Sequence, residues 1–201
     1  MNHNLESFFT KFIHTVSFTV SSKTCSEIID KFDNTVDYMK RDDSLMSCNM
    51  ILINENDQSW NQIYIDIKEL VVKSFKEYIN IIPNAWCPNE VMIIPDIRLN
   101  KYEKNRGHFN QWHSDHYFDA TLREKLDKLP ITTSFIIYLN DVSNGGETEF
   151  LQGAKIRPSI GKIILFPAAF PYLHRGIIPR SDDKYILNGW IIAGQNSTIT
   201  T

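Results

Sequence analysis

The sequence predicts a mainly β domain with helices, an α+β protein in which a helical first part supports a β core. Apolar residues recur at helical spacing in the first part, whereas the later part consists of short β-rich runs separated by turn residues. Several short strands without helices between them favour an antiparallel barrel or a double-sheet jelly roll. With 201 residues, 42% of them hydrophobic, the chain can bury one sizeable core. We expect one domain over residues 1–201, with helical support in 1–90 and the β core in 91–195.

Two segments carry the helical prediction. Thr24-Cys25-Ser26-Glu27 resembles a capping box, and apolar residues follow it on one helical face. Asp57 is a candidate cap for a second helix, which Pro83 and Pro88 would end. The apolar positions of these two helices are Ile28, Ile29 and Phe32, and then Ile63, Ile67, Leu70, Val71, Ser74, Phe75 and Tyr78.

Strand-like runs begin at Val91. Turn residues such as Asn144-Gly145-Gly146 and Gly161 separate them. The polar segment from Tyr117 to Pro130 interrupts the pattern and is either a loop beside an active site or a surface insertion. The runs are VMIIPDIRLNKY, ITTSFIIYLNDV, ETEFL, KIRPS, KIILFP and KYILNGWIIAG.

Charge and cysteine content exclude several classes of function. A formal net charge of -3 and a pI near 6.1 provide no broad electrostatic reason to bind nucleic acid or an anionic membrane. We find no secretory signal and no apolar stretch long enough to cross a bilayer. Cys25, Cys48 and Cys87 are widely separated, which argues against a zinc knuckle or a disulfide framework. We expect reduced thiols in a cytoplasmic protein.

A candidate metal site begins at His113-Ser114-Asp115. On an extended backbone, residues two positions apart project to the same face, so His113 and Asp115 could hold one ion. His174 is the candidate third ligand, because it follows a β run and precedes a turn, where a strand end could face His113. Two imidazoles and one carboxylate form the facial triad of non-haem iron(II) oxygenases. A site without cysteine also disfavours structural zinc.

The remaining histidines are alternatives to this set. His108 and His116 lie close to it, but His116 directly follows Asp115 and would point to the opposite face of a strand. His3 and His14 lie in the helical half and are interpreted as surface or packing residues.

Lys184 is the candidate partner for an organic acid. It follows His174 across a connection rich in turn formers, so a hairpin would set its ammonium back from the metal at about the reach of a five-carbon dicarboxylate. Without that placement, we would expect a lysine in a strand to be exposed to solvent.

The sequence resembles the prolyl 4-hydroxylase-like branch of the iron(II) and 2-oxoglutarate dioxygenases between Leu99 and Ala193. The order and spacing of the matching segments carry this resemblance. They are Lys101-Tyr102, Gly107-His108-Phe109, Trp112 to Asp115, Tyr138 to Val142, Gly145 to Phe150, Gly161 to Pro167, His174-Arg175-Gly176 and Lys184 to Trp190. The charged stretch Glu103 to Arg106 departs from the shorter glycine-rich link that is usual there.

The resemblance implies a double-stranded β-helix, or jelly roll, with the N-terminal helices packed on one sheet. It implies that His113, Asp115 and His174 bind Fe2+ and that Lys184 binds the distal carboxylate of 2-oxoglutarate. It further implies that Tyr102, Tyr138, Thr148 and Trp190 surround this cosubstrate. Tyr138 and Trp190 also lie in apolar strands, where they could serve as core aromatics instead.

The function so implied is hydroxylation of a C–H bond with O2, giving succinate and CO2, with L-ascorbate as a candidate reductant. A prolyl residue in a peptide or protein is the leading substrate. Alternatives are a free amino acid or another small molecule, a cupin-like metal-binding protein that does not use 2-oxoglutarate, and a catalytically inactive binding module. The oligomeric state is not readable from these residues.

Overall fold

The computed structural model describes residues 8–81, 90–117 and 131–195. Several expectations from the sequence fall outside these ranges. They concern His3, Cys87, the prolines expected to end the second helix, and residues 118–130 of the polar segment.

Helix α1 spans Ser22–Asp33 and begins earlier than its sequence suggests. Its N-cap is Ser21, whose side chain accepts a hydrogen bond from the backbone N–H of Thr24. The predicted capping box at Thr24 is therefore wrong, because the serine three residues before it already satisfies the first turn. The buried residues of α1 include Ile28 and Phe32, which confirms the predicted apolar face.

Helix α2 spans Asn61–Ile81 and buries the face that its periodicity predicts, with Ile67, Val71 and Phe75 among the buried residues. Asp57 lies before it, and its carboxylate accepts hydrogen bonds from the backbone N–H groups of Ser59 and Trp60. Asp57 therefore stabilises the turn that leads into α2.

Twelve strands lie within the described residues. Each predicted run contains a strand, and the first run splits into two strands around Pro95 and Asp96. The strands are β1 (His14–Thr15), β2 (Met39–Asp42), β3 (Met46–Ile53), β4 (Glu90–Ile93), β5 (Ile97–Tyr102), β6 (His108–His113), β7 (Ile131–Tyr138), β8 (Thr148–Phe150), β9 (Lys155–Ile156), β10 (Ile163–Pro167), β11 (His174–Gly176) and β12 (Lys184–Gln195).

The strands form one curled antiparallel sheet in the order β1-β10-β7-β12-β5-β3-β6-β11-β8-β9, with β2 beside β3 and β4 beside β12. The long strands from β10 to β3 make one wall, and β6, β11, β8 and β9 make the other. Because β3 pairs with β6, the sheet turns from one wall to the other. This arrangement, with few helices, confirms the predicted jelly roll of the α+β class.

The first 90 residues contribute more than the predicted helical support, since they also contain β1, β2 and β3. The sequence of β3 obscures its role, because polar Ser47 and Asn49 interrupt its apolar run. The fold nevertheless buries Ser47 and satisfies its hydroxyl by a hydrogen bond to the carboxylate of Asp42 in β2.

Two apolar layers lie on opposite faces of the long-stranded wall. The outer layer joins the helices to the sheet and includes Phe75 and Leu187. The inner layer faces the second wall and includes Phe166 and Ile186. Ile186 and Leu187 enter different layers because successive side chains of a strand point to opposite faces. Within the described residues, no helix combines the length and apolarity needed to cross a membrane.

Candidate active site

Three of the predicted side chains meet between the two walls. His113 ends β6 and His174 begins β11, and the two residues are direct partners in the antiparallel register. Asp115 starts a short 3-10 turn, Asp115–Tyr117, immediately after β6. One ligand atom from each of the three residues lies within 4.8 Å of the other two. The fold thus brings the three predicted ligands together as a cluster of three donors.

The hydrogen bonds of the two imidazoles fix how they face the cluster. Nδ1 of His113 lies 2.9 Å from the carbonyl oxygen of Gln111, and Nδ1 of His174 lies 3.2 Å from that of Tyr172. Since a carbonyl oxygen only accepts, each Nδ1 donates and each neutral ring keeps a lone pair on Nε2. These Nε2 atoms lie 3.7 Å and 3.8 Å from the two carboxylate oxygens of Asp115.

The surroundings favour neutral imidazole at His113. The pKa of His113 is lowered to about 4, first by burial and then by the nearby His174, while the Asp115 carboxylate acts in the opposite direction. Phe109 stacks on the His113 ring with centroids 4.0 Å apart, and the edge of Phe166 meets His174. Neutral imidazole is the form that binds a metal ion.

The donor set fits the metal that the sequence suggests. Two imidazole nitrogens and one carboxylate suit a divalent first-row metal, and their grouping on one side matches a non-haem iron(II) site with open positions. Within the described parts of the chain, this is the one cluster of at least three metal-binding side chains.

The other described histidines lie outside the cluster. Nδ1 of His116 lies 3.3 Å from the carbonyl oxygen of Ile131, and Nδ1 of His108 lies 2.9 Å from that of Arg106. His14 pairs with Glu77 at 2.7 Å. These contacts agree with the structural roles expected for His14 and His116.

Lys184 lies in the same cavity as the cluster, at the start of β12 and opposite Tyr102 in β5. It is 3% exposed, and its Nζ lies 5.4 Å from the centre of the Tyr102 ring and 5.8 Å from that of Tyr138. No carboxylate of the described residues lies within 4.0 Å of this ammonium. Burial lowers its pKa to about 8, with the negative charge of Glu147 acting in the opposite direction. A buried cation in this position favours an anionic ligand.

Tyr102, Thr148 and Trp190 line the cavity, and their contact with 2-oxoglutarate stays a prediction. Tyr138 is fully buried and is not among the residues that line the cavity. Its hydroxyl donates a 2.7 Å hydrogen bond to Oγ1 of Thr148, which does line it. Trp190 combines both proposed roles, since it lines the cavity and also packs in a buried apolar cluster with Ile131.

Sequence reasoning missed several polar residues of the cavity. Strands β5 and β12 place polar side chains on the inner face. Arg98 and Asn100 stand four and two residues before Tyr102, and Asn188 stands four residues after Lys184. The period of two from Tyr102 and Lys184 could have identified them. Other missed lining residues are Arg41, Ser134 and Arg175. The cavity is open to solvent at its mouth.

Sequence comparison finds a family for the later part of the chain. Residues 97–192 match the model of the 2OG-Fe(II) oxygenase superfamily. No curated protein sequence matches the chain.

Several solved structures share the fold. A prolyl hydroxylase from Trichoplax adhaerens, in complex with a hypoxia inducible factor peptide fragment, aligns with a TM-score of 0.65 at 13% identity over 94% of this chain and 89% of that one. A prolyl-4-hydroxylase from Pseudomonas putida gives 0.63 at 11% identity, over 94% and 98%. A viral collagen prolyl hydroxylase from Paramecium bursaria Chlorella virus-1, in complex with 2-oxoglutarate, gives 0.57 at 18% identity, over 90% and 95%.

Proposed function

We propose that this chain, which belongs to the 2OG-Fe(II) oxygenase superfamily through residues 97–192, hydroxylates a C–H bond of a prolyl residue in a peptide or protein. The superfamily uses iron(II), 2-oxoglutarate and dioxygen, so the chain is an oxidoreductase of the dioxygenase type. The prolyl substrate is our proposal, and its support is the fold shared with prolyl hydroxylases.

One observation carries the assignment of the site. A cluster of two histidines and an aspartate shares a cavity with a buried lysine ammonium, and the two features lie on opposite walls. A metal-binding protein without an organic cosubstrate has no use for a desolvated cation at Lys184, since burying that charge costs free energy. The pair therefore favours an oxygenase over a cupin-like metal-binding protein.

Each side chain has a role in this proposal. His113, Asp115 and His174 would hold iron(II), while the Lys184 ammonium would bind the distal carboxylate of 2-oxoglutarate. When bound, iron(II) and 2-oxoglutarate would react with dioxygen, so that one of its oxygen atoms enters the C–H bond and the other enters succinate as CO2 is released.

The cavity wall would orient these groups. Ser134 donates a hydrogen bond to Oδ2 of Asp115 and fixes that carboxylate. Thr148 and Tyr102 flank the site of the diacid, and the Tyr138 hydroxyl holds Thr148 in place. Phe109 and Phe166, which contact the two imidazoles, and Trp190 would shield the cluster from water.

The substrate class has one alternative, a free amino acid or another small molecule. A cavity that opens to solvent admits either a side chain of a peptide or a small substrate. We also propose a cytoplasmic location, which agrees with the buried free thiols of Cys25 and Cys48.

The test has two stages. Purified protein with iron(II), L-ascorbate and 2-oxoglutarate under air should release succinate, and release should stop when iron is withheld. Prolyl peptides and free amino acids are then screened by mass spectrometry for a gain of one oxygen atom. Absence of succinate under all conditions would refute the oxygenase, whereas oxidation of a free amino acid alone would refute the peptide substrate.

A further inference from the structure

The N-terminal part of the described chain closes the edge of the long-stranded wall. Strand β1 is the end strand of the sheet and pairs with β10. Before β1, Phe9, Phe12 and Ile13 pack against the inner apolar layer. After β1, Val16 and Val20 belong to the outer layer. The chain thus passes from one face of the sheet to the other around the edge of β10, and it covers an edge that would otherwise be open.

Residues 8–13, which we call the N-terminal segment, form a tightly wound turn. Each of its last three backbone N–H groups donates to the carbonyl oxygen three residues earlier, at 3.1 to 3.3 Å. Side chains three residues apart lie on the same side of such a turn, so Phe9 and Phe12 both face the inner layer. The segment therefore presents two aromatic rings to the interior between the two walls.

Tyr172 connects the N-terminal segment to the rest of the inner layer. It is 6% exposed, and its ring meets the Phe9 ring edge to face with centroids 6.4 Å apart. Its hydroxyl donates a 3.2 Å hydrogen bond to the carbonyl oxygen of Phe9. This oxygen also accepts from the N–H of Phe12, which its two lone pairs allow. Both the ring and the backbone of Phe9 thus hold the Tyr172 side chain.

The backbone of Tyr172 orients one of the predicted metal ligands. Its carbonyl oxygen accepts from Nδ1 of His174 at 3.2 Å, and its N–H donates to the carbonyl oxygen of Ala169 at 3.0 Å. The hydrogen-bond partner of the second ring nitrogen fixes the tautomer and the orientation of a histidine that binds metal. Because this partner is a main-chain carbonyl, its position depends on what holds the Tyr172 side chain.

Aromatic rings support the His174 imidazole from the same layer. The ring centroids of Phe166 and Phe150 lie 4.8 Å and 5.7 Å from that of His174. These two phenylalanines pack edge to face at 4.9 Å, and both belong to the inner layer together with Tyr172. Loss of the Phe9 ring would leave a cavity at the border of this layer, and closely packed rings would shift toward it.

We infer that the N-terminal segment positions His174 for iron(II) through the contact of Phe9 with Tyr172. The inference rests on the proposed function, because it takes His174 to be an iron ligand. Phe9 holds the Tyr172 side chain, and the Tyr172 carbonyl then directs the imidazole. Phe9 and Tyr172 supply no ligand atom themselves, so both are positioning residues. Loosening their contact should weaken iron binding while all three ligands remain.

The experiment measures iron(II) affinity by anaerobic titration of the full chain, at a temperature well below its unfolding transition. Phe9→Ala should weaken the affinity by about tenfold, because it removes the ring that packs on Tyr172. Tyr172→Phe removes a single oxygen atom and keeps the aromatic packing, so it should weaken the affinity by about threefold.

Each variant has a matched control in the outer layer. Tyr64→Phe also removes a buried hydroxyl that donates to a main-chain carbonyl, that of Ile94, at 2.7 Å. Phe18→Ala also truncates a partly buried phenylalanine, but one that packs against the outer layer. Both controls should lower the free energy of unfolding and retain the wild-type affinity for iron(II).

Bound cobalt(II) provides a second readout that a loss of general stability would not change. Its visible absorption depends on the number and geometry of its ligands. At saturating cobalt(II) without oxygen, the spectrum should change in Phe9→Ala and in Tyr172→Phe. The spectra of Tyr64→Phe and Phe18→Ala should match that of the wild type.

The outcomes separate this inference from the proposed function. Wild-type iron(II) affinity in both Phe9→Ala and Tyr172→Phe would overturn the positioning role, even if the protein is an active oxygenase. Equal losses of affinity in the two controls would also overturn it, because general stability would then determine iron binding. Lack of iron(II) binding by the wild type would instead refute the ligand set and the oxygenase. If Phe9→Ala does not fold, Tyr172→Phe decides alone.

Discussion

The hydroxyl of Ser134 donates a hydrogen bond to Oδ2 of Asp115, the carboxylate oxygen that lies 3.8 Å from Nε2 of His174. Ser134 comes from β7 in one wall, whereas His174 comes from β11 in the other. The carboxylate therefore links the two walls at the point where the metal would lie. A ligand held in this way is oriented before the metal arrives.

Ser134→Ala should lower the affinity for iron(II) by about tenfold, because Asp115 loses the donor that orients it. Anaerobic iron(II) titration measures this change. Ser74→Ala is the control, since Ser74 is also fully buried and donates to the carbonyl oxygen of Leu70 in α2, far from the cluster. Equal losses of iron affinity in both variants would argue that Ser134 acts only through general stability.

His174→Ala should abolish iron(II) binding and 2-oxoglutarate turnover, because two donors remain where the open site needs three. His116→Asn should retain both, since asparagine can still donate to the Ile131 carbonyl as His116 does. Metal content after anaerobic loading provides the measurement. Retention of iron by His174→Ala would contradict the proposed ligand set.

The predicted metal ligands and Lys184 could be identified from local spacing and from the resemblance. His113 and Asp115 stand two residues apart, and motif order connected them to His174 and Lys184. The structure places all four at one cavity. The strands within the predicted runs were also predictable, because apolar residues and turn residues mark each run. Strands β6 and β11, which carry the two histidines, lie outside those runs.

The remaining features depend on contacts between distant segments. Arg98 and Asn100 stand four and two residues before Tyr102, but the period of two alone does not tell which face of β5 turns inward. It identifies them only once the resemblance has placed Tyr102 at the cavity. The segment of β3 falls within the predicted helical support. Polar Ser47 interrupts the apolar run of this strand, and its hydrogen bond to Asp42 forms only because β2 pairs with β3. Pairing across the sheet is a tertiary property that local sequence does not carry.

Gly161→Ala should destabilise the fold by about 3 kcal/mol. Gly161 has φ +75°, and a Cβ there would overlap the carbonyl oxygen of Val20. Its own N–H donates to Tyr138 and its carbonyl accepts from Val20, so the backbone cannot move away without breaking these bonds.

Gly153→Ala is the matched control for this loss. Gly153 also has positive φ, at +95°, but a Cβ there meets nothing within 4 Å. Its cost should be about 1 kcal/mol, from backbone conformation alone. Chemical denaturation of both variants measures the difference. Equal free energies of unfolding would show that the backbone at Val20 can move aside to accommodate the added methyl group.

Lys184→Met should raise the KM for 2-oxoglutarate by roughly tenfold to a hundredfold, because it removes the charged partner of the distal carboxylate and keeps similar bulk. Lys101→Met is the control. Lys101 lies next to Tyr102 in β5 but points to the other face, where it pairs with Asp33 and Asp183. An unchanged KM for 2-oxoglutarate in Lys184→Met would show that the cosubstrate does not bind at this end of the cavity.

Binding of 2-oxoglutarate should weaken as the pH rises above about 8. The pKa of Lys184 is lowered to about 8 by burial, so its ammonium is present below that pH and is lost above it. Because the distal carboxylate needs the charged form, the KM should stay constant at lower pH and then rise by up to about tenfold per pH unit.

Lys184→Arg distinguishes this titration from other effects of alkaline pH, because a guanidinium stays charged throughout the range. Its KM for 2-oxoglutarate should remain flat from about pH 6.5 to about pH 9.5, even if its absolute value differs from that of the wild type. A rise above pH 8 that persists in Lys184→Arg would assign the dependence to another group. If the wild-type KM also stayed constant over this pH range, the Lys184 ammonium would remain charged above pH 8. Burial would then lower the pKa of Lys184 less than the structure indicates.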